Sequence, residues 1–427
     1  MKPVQIGLLG CGTVGSGLVE LIAKNRSLIA DRSGLDLQIR RVLVRDAKKE
    51  RPVAPELLTT DPAAILDAKD IDVVVELMGG LEPARAHVLR AIGQRKHVVT
   101  ANKMLLAAAG SELFRRAAEQ RVRIGFEASV CGGIPILQAI GSGLVANRIS
   151  AIVGIVNATC NFILTKMTEE KWHFARALVE AQRMGIAEAD PTLDLDGQDA
   201  AQKLQLLAEM AFGVSLEKAK FIVEGIRHIE DEDIRTAEQL GYVVKHIAVA
   251  KDLGTSLDLR VHPALIGATH PLAHVRAEAN SVLVRGDAVQ EMVLTGRGAG
   301  ALPTASAVLS DIVEIGGHGQ SDHGATWHLP TRGEKPVAAD FESKYYLRLP
   351  IKDVPGVIGL ITTALGKSDI SISHLAATLI EGKQGMGNVK IVAHRTKESS
   401  LRKALDEISK LPVLAGKPVA LRIFEES

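Results

Sequence analysis

Aromatic residues are scarce in this chain, making up only 3% of its 427 residues. Proteins that bind single-stranded nucleic acid stack its bases on aromatic side chains, so we expect no nucleic-acid partner. Three cysteines are too few for a disulfide framework, which favours a reducing compartment. The formal net charge is only +1, so the chain has no overall attraction to nucleic acid or to a membrane surface.

Long apolar runs are missing too. No stretch of about 18 uncharged apolar residues is present to span a bilayer. The opening MKPVQIGLLG lacks the apolar core and small-residue cleavage site of a secretory signal. We therefore expect a soluble, cytoplasmic protein with no membrane partner. At about 150 residues per domain, the length predicts about three domains.

Residues 1–130 alternate between apolar and amphipathic segments. Strands are predicted at 4–9, 38–44, 71–77 and 97–100, with helices between them at 14–23 and 83–94. Strands that alternate with helices indicate βαβ units and a parallel sheet. We predict an α/β protein that begins with a Rossmann-type domain over 1–130.

Residues 131–330 are rich in alanine and mixed in pattern, which predicts an α+β unit. Helices are expected at 174–184, 199–212 and 237–251, and strands at 149–156 and 281–284. The glycine- and histidine-rich passage 316–328, together with Pro330 and the charged stretch 332–335, is interpreted as a linker.

Residues 343–427 have a pattern of their own. Strands are predicted at 345–351, 370–380, 388–393 and 418–424, with helices at 356–365 and 397–411. The order β-α-β-β-α-β is typical of a ferredoxin-like domain.

A glycine-rich loop directly follows the first predicted strand. Its residues are Gly10, Cys11, Gly12, Thr13, Val14 and Gly15. Gly10 permits a tight turn, Gly12 lets a pyrophosphate approach the backbone, and Gly15 lets the helix pack closely on the strand. The phosphates would meet free N–H groups at the helix start. Because of this context we favour a dinucleotide site over a structural glycine turn.

The residues after the second strand leave the choice of dinucleotide open. Arg45 is suited to the 2′-phosphate of NADP, whereas Asp46 is suited to the ribose hydroxyl of NAD. Lys48 and Lys49 follow, so a merely solvated charged loop is a third interpretation. We favour NADP over NAD.

Two lysines are candidates for chemistry. Lys103 follows the strand 97–100, and ligands of parallel α/β sheets bind at the carboxyl ends of the strands. Lys203 follows a run of acids, of which Asp199 lies one helical turn before it. The other acids of the run are Glu188, Asp190, Asp194 and Asp196. The run predicts either an exposed ion pair on a helix or a site for a small zwitterion in which a lysine moves a proton.

Taken together, these motifs resemble homoserine dehydrogenase. The matching segments lie along nearly the whole chain: 10–15, 100–103, 127–130, 157–164, 188–203, 296–300 and 303–307. The resemblance implies interconversion of L-homoserine and L-aspartate 4-semialdehyde with NAD(P), in the monofunctional form of the enzyme. A nucleotide- and amino-acid-binding regulator without turnover, or another amino-acid dehydrogenase, is the alternative.

The resemblance also implies roles for particular residues. Lys103 and Lys203 would act at the reacting oxygen, and Lys103 also borders the cofactor. Glu188 and Asp199 would bind the amino end of the substrate and orient Lys203, with Asp194 in support. A lysine with an ordinary pKa near 10.4 is a poor base, so we expect the surroundings to lower the pKa of the reacting lysine.

Further ligands are implied by the same resemblance. Backbone carbonyls of Glu127, Val130, Gly132 and Ile134 would hold a monovalent cation, Na⁺ or K⁺, unless this is a plain glycine turn. The loop around Gly298 would lie against the cofactor.

The C-terminal unit resembles an ACT regulatory domain, with residues 353–357 at its first β-to-α turn. In the family this domain typically binds threonine as a feedback inhibitor, and a dimerisation module without effector is the alternative. The family also implies a homodimer or homotetramer, and we expect the runs 149–156 and 281–284 to form a sheet that pairs between subunits.

Overall fold

The computed structural model describes residues 1–318, 333–380, 382 and 384–425, in two sheets with their helices. The first sheet has six strands, β1 (Lys2–Leu9), β2 (Leu35–Leu43), β3 (Leu58–Thr59), β4 (Val73–Glu76), β5 (His97–Thr100) and β6 (Ile124–Gly125). Its helices are α1 (Thr13–Lys24), α2 (Arg26–Ser33), α3 (Ala63–Leu66), α4 (Ala84–Gly93) and α5 (Lys103–Gln120), with 3-10 turns at Pro55–Leu57 and Glu127–Ser129.

All neighbours in this sheet are parallel, in the order β3-β2-β1-β4-β5-β6. This is the strand order of a dinucleotide-binding Rossmann sheet. The predicted Rossmann-type fold is confirmed, and β5 has the predicted bounds. β4 is buried along its whole length, because helices cover both faces of the sheet.

The middle of the chain supplies six more strands, β7 (Ile149–Ile155), β8 (Ile222–Val223), β9 (Tyr242–Asp252), β10 (Leu257–Gly267), β11 (Ala279–Gly286) and β12 (Gln290–Arg297). Its helices are α6 (Ile136–Gln138), α7 (Ala158–Glu169), α8 (Phe174–Arg183), α9 (Thr192–Leu195), α10 (Gln198–Phe212), α11 (Asp231–Gln239) and α12 (Ala301–His318). A π-helical turn covers Ala139–Gly143 and a 3-10 turn covers Pro271–His274.

The helix predicted at 237–251 is wrong, because α11 ends at Gln239 and β9 occupies most of that range. The seven central residues of β9 are buried on both faces of the strand. Apolar residues on both faces remove the alternation that marks a strand, so periodicity does not separate such a strand from a buried helix. The runs 149–156 and 281–284 fall in β7 and β11, which pair with each other within the chain.

Helix α12 returns to the first sheet. Its buried face, which includes Ala305, Val308 and Ile312, shares one apolar core with β1 and α1. The linker predicted at 316–328 is therefore wrong at its start, because residues 316–318 end α12. Residues 319–332 of that prediction lie outside the described residues.

The C-terminal segment contains β13 (Glu342–Lys352), α13 (Val357–Gly366), β14 (Ile372–Leu379), β15 (Met386–Lys397), α14 (Glu398–Ile408) and β16 (Val419–Phe424). The predicted order β-α-β-β-α-β is present, with strands arranged β16-β13-β15-β14. β16 pairs in parallel with β10, so the second sheet is continuous from β12 to β14. The C-terminal unit is thus joined to the middle of the chain through a shared sheet.

Among the described residues, none of the helices combines the length and apolar character needed to cross a membrane.

Candidate active site

The loops after β1, β4 and β5 meet at one edge of the first sheet. β1 and β4 are neighbours, and the strand order reverses between them. In open α/β sheets this reversal opens a crevice at the carboxyl ends of the strands, where nucleotides bind.

The glycine loop has the geometry that a pyrophosphate needs. Gly10 has φ +96°, and a Cβ there would lie 2.8 Å from the Leu77 carbonyl oxygen. A Cβ on Gly15 would lie 2.6 Å from the Gly10 oxygen, so helix and strand pack too closely for a side chain. A Cβ on Gly12 would have open space around it. Since α1 begins at Thr13, followed by Val14, the loop offers free N–H groups beside that space.

Glu76, at the end of β4, arranges the neighbouring loops. Its carboxylate accepts hydrogen bonds from the N–H groups of Met78 (2.7 Å) and Gly79 (3.2 Å) and from the Thr100 hydroxyl (2.7 Å). Asn102 then caps α5 by accepting from the Leu105 N–H at 3.1 Å. These contacts fix the first turn of α5, where Lys103 begins the helix.

Lys103 and Lys203 meet on the two oxygens of one carboxylate. Lys103 Nζ lies 3.1 Å from Asp199 Oδ1. Lys203 Nζ donates to Asp199 Oδ2 at 2.7 Å and to the Val156 carbonyl oxygen at 2.8 Å. The Asp199 and Lys203 side chains are each only 11% exposed. The interpretation of this pair as an exposed surface ion pair is therefore wrong.

Asn157 connects the lysine pair to the acid run. Its Nδ2 donates to Asp199 Oδ2 at 2.8 Å and to Asp194 Oδ1 at 2.7 Å. Asp194 also accepts from the Thr159 hydroxyl at 2.9 Å. Asn157 in addition caps α7 by accepting from the Cys160 N–H at 2.8 Å. The side chain of Asp194 is thus committed to holding α7 and α9 beside the lysines.

The charges of this cluster reinforce one another. Burial alone would raise the pKa of Asp199, but the charges of Lys203 and Lys103 hold that pKa below its ordinary value. Burial alone would lower the pKa of Lys203, but the Asp199 carboxylate outweighs it and raises that pKa above 10.5. The expectation of a lowered lysine pKa is therefore wrong for Lys203, because a carboxylate at hydrogen-bond distance outweighs its burial.

A cavity of about 270 Å³ opens beside the pair, between the first sheet and the acid run. Gly79, Asn102, Lys103, Glu188, Asp194 and Asp199 are among the residues that line it. Glu188 is exposed, and within the described part of the chain its carboxylate makes no hydrogen bond or ion pair. The cavity therefore presents a cation and an unoccupied carboxylate, the groups that complement a small zwitterion.

Arg45 is exposed, two residues after β2 ends. Asp46 Oδ1 accepts from the Lys48 N–H at 2.8 Å, so one oxygen of that carboxylate is used within its own turn.

The segment from Glu127 to Ile134 is held from several sides. The Glu127 carboxylate accepts from the N–H groups of Leu137 (2.9 Å) and Gln138 (2.7 Å). Burial raises the pKa of Glu127 to about 7. A Cβ on Gly132 would lie 2.6 Å from the Gly298 carbonyl oxygen, so the Gly298 loop packs directly on this segment. Among the described residues, no three His, Cys, Asp or Glu side chains are grouped to hold a metal ion.

Three polar residues of this region were not predicted individually from the sequence: Glu76, Asn157 and Asn280. Asn280 is fully buried, donates to the Val156 oxygen at 3.1 Å and lies against Gly298. Glu76 and Asn280 have no motif around them. Asn157 had a signal, because it precedes a helix as an N-cap residue would.

Comparison with known proteins identifies the family of this chain. Residues 10–127 match the family model "Homoserine dehydrogenase, NAD binding domain", and residues 135–313 match the model "Homoserine dehydrogenase". The homoserine dehydrogenase of Bacillus subtilis is 40% identical over 97% of this chain and 96% of its own length.

Solved structures show the same similarity. A homoserine dehydrogenase from Thiobacillus denitrificans aligns with a TM-score of 0.92 and 41% identity, covering 100% of this chain and 99% of that one. A hyperthermophilic archaeal homoserine dehydrogenase in complex with NADPH aligns with a TM-score of 0.61 and 28% identity, over 73% of this chain and 97% of that one. The chain belongs to the homoserine dehydrogenase family, whose members are NAD(P)-dependent oxidoreductases acting on a CH–OH group.

Proposed function

We propose that this chain interconverts L-homoserine and L-aspartate 4-semialdehyde with the reacting oxygen at Lys103 and Lys203. The observation that carries the proposal is the placement of both ammonium groups on one buried carboxylate, beside a cavity at the nucleotide edge of the first sheet. The nicotinamide cofactor, when bound, supplies or accepts the hydride.

Among the described residues, Lys203 has two hydrogen-bond acceptors, which leaves one N–H for a substrate. An ammonium group carries three N–H donors. One donor of Lys203 binds the Val156 carbonyl oxygen and a second binds Asp199 Oδ2. Because its pKa is raised, Lys203 is a proton donor at neutral pH. That state suits reduction of the aldehyde, in which the oxygen gains a proton as the carbon gains hydride.

Lys103 is the more accessible of the two lysines, with 32% of its side chain exposed, and it lines the cavity. We assign it to bind and polarise the same oxygen from the cofactor side. Asp199 would orient both lysines, because its two oxygens already accept three donors.

Glu188 is the carboxylate best placed to bind the substrate ammonium, since it lines the cavity and its carboxylate has no other partner in the described part of the chain. Asp194 would act indirectly, by holding Asn157 beside Asp199.

NADP is the proposed cofactor. Arg45 is exposed at the end of the second strand, where the 2′-phosphate of NADP is bound in such sheets. Asp46, the acid that would favour NAD, uses one of its oxygens to accept the Lys48 N–H. The archaeal relative solved with NADPH supports the same choice. Gly10, Gly12, Thr13, Val14, Gly15 and Gly298 would contact the cofactor through their backbone.

A monovalent cation, Na⁺ or K⁺, would fit the carbonyls of Glu127, Val130, Gly132 and Ile134. Cys131 and Gly132 both have positive φ, +55° and +53°. Among the described residues, the Val130 and Gly132 oxygens accept no backbone hydrogen bond. The ion would hold this segment against the Gly298 loop. Replacing K⁺ and Na⁺ with tetramethylammonium should then lower the thermal midpoint, and an unchanged midpoint would count against the ion.

The C-terminal unit is proposed to be an ACT domain that binds threonine. Its first turn, residues 353–356, is exposed and leads into α13, with Gly356 at φ +85° as the N-cap. Activity titrated with threonine tests this assignment, and a flat response to millimolar threonine would leave the unit without that effector.

We also propose a homodimer or homotetramer. Among the described strands, β12 is at the edge of the second sheet and pairs only with β11, so its outer edge is available to a second chain. Light scattering measures the mass directly, and a monomer would contradict this assignment.

The proposed activity is tested by measuring homoserine-dependent reduction of NADP⁺ and of NAD⁺ by absorbance, with kcat/KM compared in one assay. We expect turnover with both homoserine and NADP⁺ present and a higher kcat/KM with NADP⁺. Folded protein without homoserine-dependent turnover would contradict the proposal.

A further inference from the structure

The start of α10, which carries Asp199 and Lys203, rests on a neighbouring backbone segment, residues 224–226. The Ile226 N–H donates to the Leu195 carbonyl oxygen at 2.9 Å. A Cβ on Gly225 would lie 1.8 Å from that same oxygen, so the two backbones touch directly. On the other side, a Cβ on Gly197 would lie 3.2 Å from the Glu224 carbonyl oxygen. Any shift of residues 224–226 therefore moves the entry to α10.

Residues 224–226 are held in turn by the C-terminal unit. Arg422, on β16, donates through both Nη atoms to the Glu224 carboxylate, at 2.6 and 2.9 Å. Arg422 is only 4% exposed and also binds Glu398 of α14, at 2.6 and 3.0 Å. The Glu224 N–H donates to the Val261 oxygen on β10 at 2.8 Å, and His246 Nε2 contacts the Glu224 oxygen at 2.9 Å.

The contacts thus form a short chain from the C-terminal unit to the lysine pair. It begins at Arg422, passes through Glu224 and residues 225–226 to residues 195–197, and ends two residues later at Asp199. A bidentate arginine–carboxylate pair fixes orientation as well as distance. A lysine in place of the arginine would keep the charge and lose that geometry.

We propose that Glu224 and Arg422 are positioning residues for the reaction, through which the C-terminal unit sets the alignment of Asp199 and Lys203. The inference rests on the roles proposed above for those two residues. It also assigns the route by which a ligand on the C-terminal unit would alter turnover, since a movement of β16 displaces Arg422.

The chain contains a matched control for this contact. Arg348, on β13 of the same C-terminal unit, binds Asp233 of α11 through two atoms, at 2.8 and 3.0 Å. Each arginine has a second carboxylate, Glu230 for Arg348 and Glu398 for Arg422. Among the described residues, Asp233 makes no hydrogen bond with residues 195–197. Both contacts join the same two units, and only the Glu224 contact leads to α10.

The test compares Glu224→Gln with Asp233→Asn in the full-length chain. Since a displacement of about 1 Å can cost up to ~10²-fold in rate, we expect kcat with homoserine to fall about 10-fold in Glu224→Gln and less than about 2-fold in Asp233→Asn. The Kd for NADP⁺ should be unchanged in both variants, and the thermal midpoint should fall further in Asp233→Asn, because the Asp233 carboxylate is fully buried and also accepts the Glu230 N–H at the start of α11. If either carboxamide variant does not fold, Arg422→Lys and Arg348→Lys provide the same comparison at the arginine of each pair. Both substitutions keep the positive charge and are therefore milder.

Hydrogen exchange supplies a readout that does not depend on turnover. We expect faster exchange in the peptide covering residues 195–203 in Glu224→Gln, and wild-type exchange there in Asp233→Asn. Equal losses of kcat in the two variants, or wild-type exchange at 195–203 in Glu224→Gln, would overturn the proposal. Wild-type turnover in the same assay tests the proposed reaction separately, so the two failures are distinguishable.

Discussion

Lys203 donates to Asp199 across one turn of α10, over 2.7 Å. The spacing of four residues places the two side chains on one face of the helix. Lys103 reaches the other oxygen of the same carboxylate from a different domain, at 3.1 Å. One buried carboxylate therefore binds two ammonium groups beside the cavity, and its negative charge offsets the repulsion between them.

Replacing Asp199 with asparagine removes that charge while keeping the shape of the side chain. The buried Lys203 ammonium would then lose the carboxylate that it binds while Lys103 stays close to it, an unfavourable state. We expect kcat with homoserine and NADP⁺ to fall by about 10²-fold, the lower end of what a positioned acid–base group contributes. Asp70→Asn is the control, since Asp70 is exposed and pairs with Arg40. Similar losses in the two variants would argue against a special role for Asp199.

Variants at two glycines of the loop should affect cofactor binding and thermal stability separately. Gly12→Ala places a methyl group in open space, so the thermal midpoint should stay near that of the wild type while the Kd for NADP⁺ rises. Gly10→Ala places a methyl group 2.8 Å from the Leu77 oxygen at φ +96°, so the midpoint should fall. Fluorescence titration and thermal melts measure the two effects. If Gly12→Ala binds NADP⁺ with the wild-type Kd, the pyrophosphate does not bind at this loop.

Arg45→Ala tests the choice of dinucleotide. If Arg45 meets the 2′-phosphate, its loss should raise KM for NADP⁺ more than KM for NAD⁺, because only NADP⁺ carries that group. Steady-state kinetics with each cofactor measure both constants. Lys48→Ala, in the same loop, is the control for a general loss of positive charge. Equal effects of Arg45→Ala on the two cofactors would exclude Arg45 from the selection.

Glu209 predicts a pH dependence of stability. Burial raises its pKa to about 7 from an ordinary value of 4.5. Between these values the folded protein retains a proton that the unfolded chain releases, so stability falls as pH rises through this window. Above about pH 7, the ionised and buried Glu209 carboxylate lowers the free energy of unfolding by its full amount.

We therefore expect Glu209→Gln to raise the thermal midpoint at about pH 8 and to change it little at about pH 4.5. The amide oxygen can still accept the Leu216 N–H, which lies 2.7 Å from Glu209 Oε1. Thermal melts at both pH values measure the difference, with the exposed Glu56→Gln as a control. A gain in midpoint that is independent of pH would contradict the raised pKa.

Local pattern was enough to predict much of the fold. β5 was predicted with its observed bounds, and the glycine loop lies between β1 and α1 as its motif requires. β9 was missed because burial on both faces erases the alternation of a strand. The packing of α12 on the first sheet was not predictable either, since contacts between distant segments leave no local pattern.

In the candidate site, too, local features were predictable from the sequence and contacts between distant segments were not. Asp199 and Lys203 were candidates because their spacing is local, and Lys103 was one because it follows a strand. Asn157 was not a candidate, because the two residues that it binds, Asp194 and Asp199, lie 37 and 42 residues later in the chain. The raised pKa of Lys203 depends on its distance from Asp199 and on their burial, neither of which the sequence contains.

The most direct test of the central claim is the turnover of Lys203→Met. The substitution keeps an unbranched side chain and removes the ammonium that we place at the reacting oxygen. We predict that kcat falls by ~10²–10⁴-fold while the Kd for NADP⁺ is unchanged, and that the exposed Lys69→Met control retains wild-type kcat. A Lys203→Met enzyme with wild-type kcat for homoserine would contradict the account.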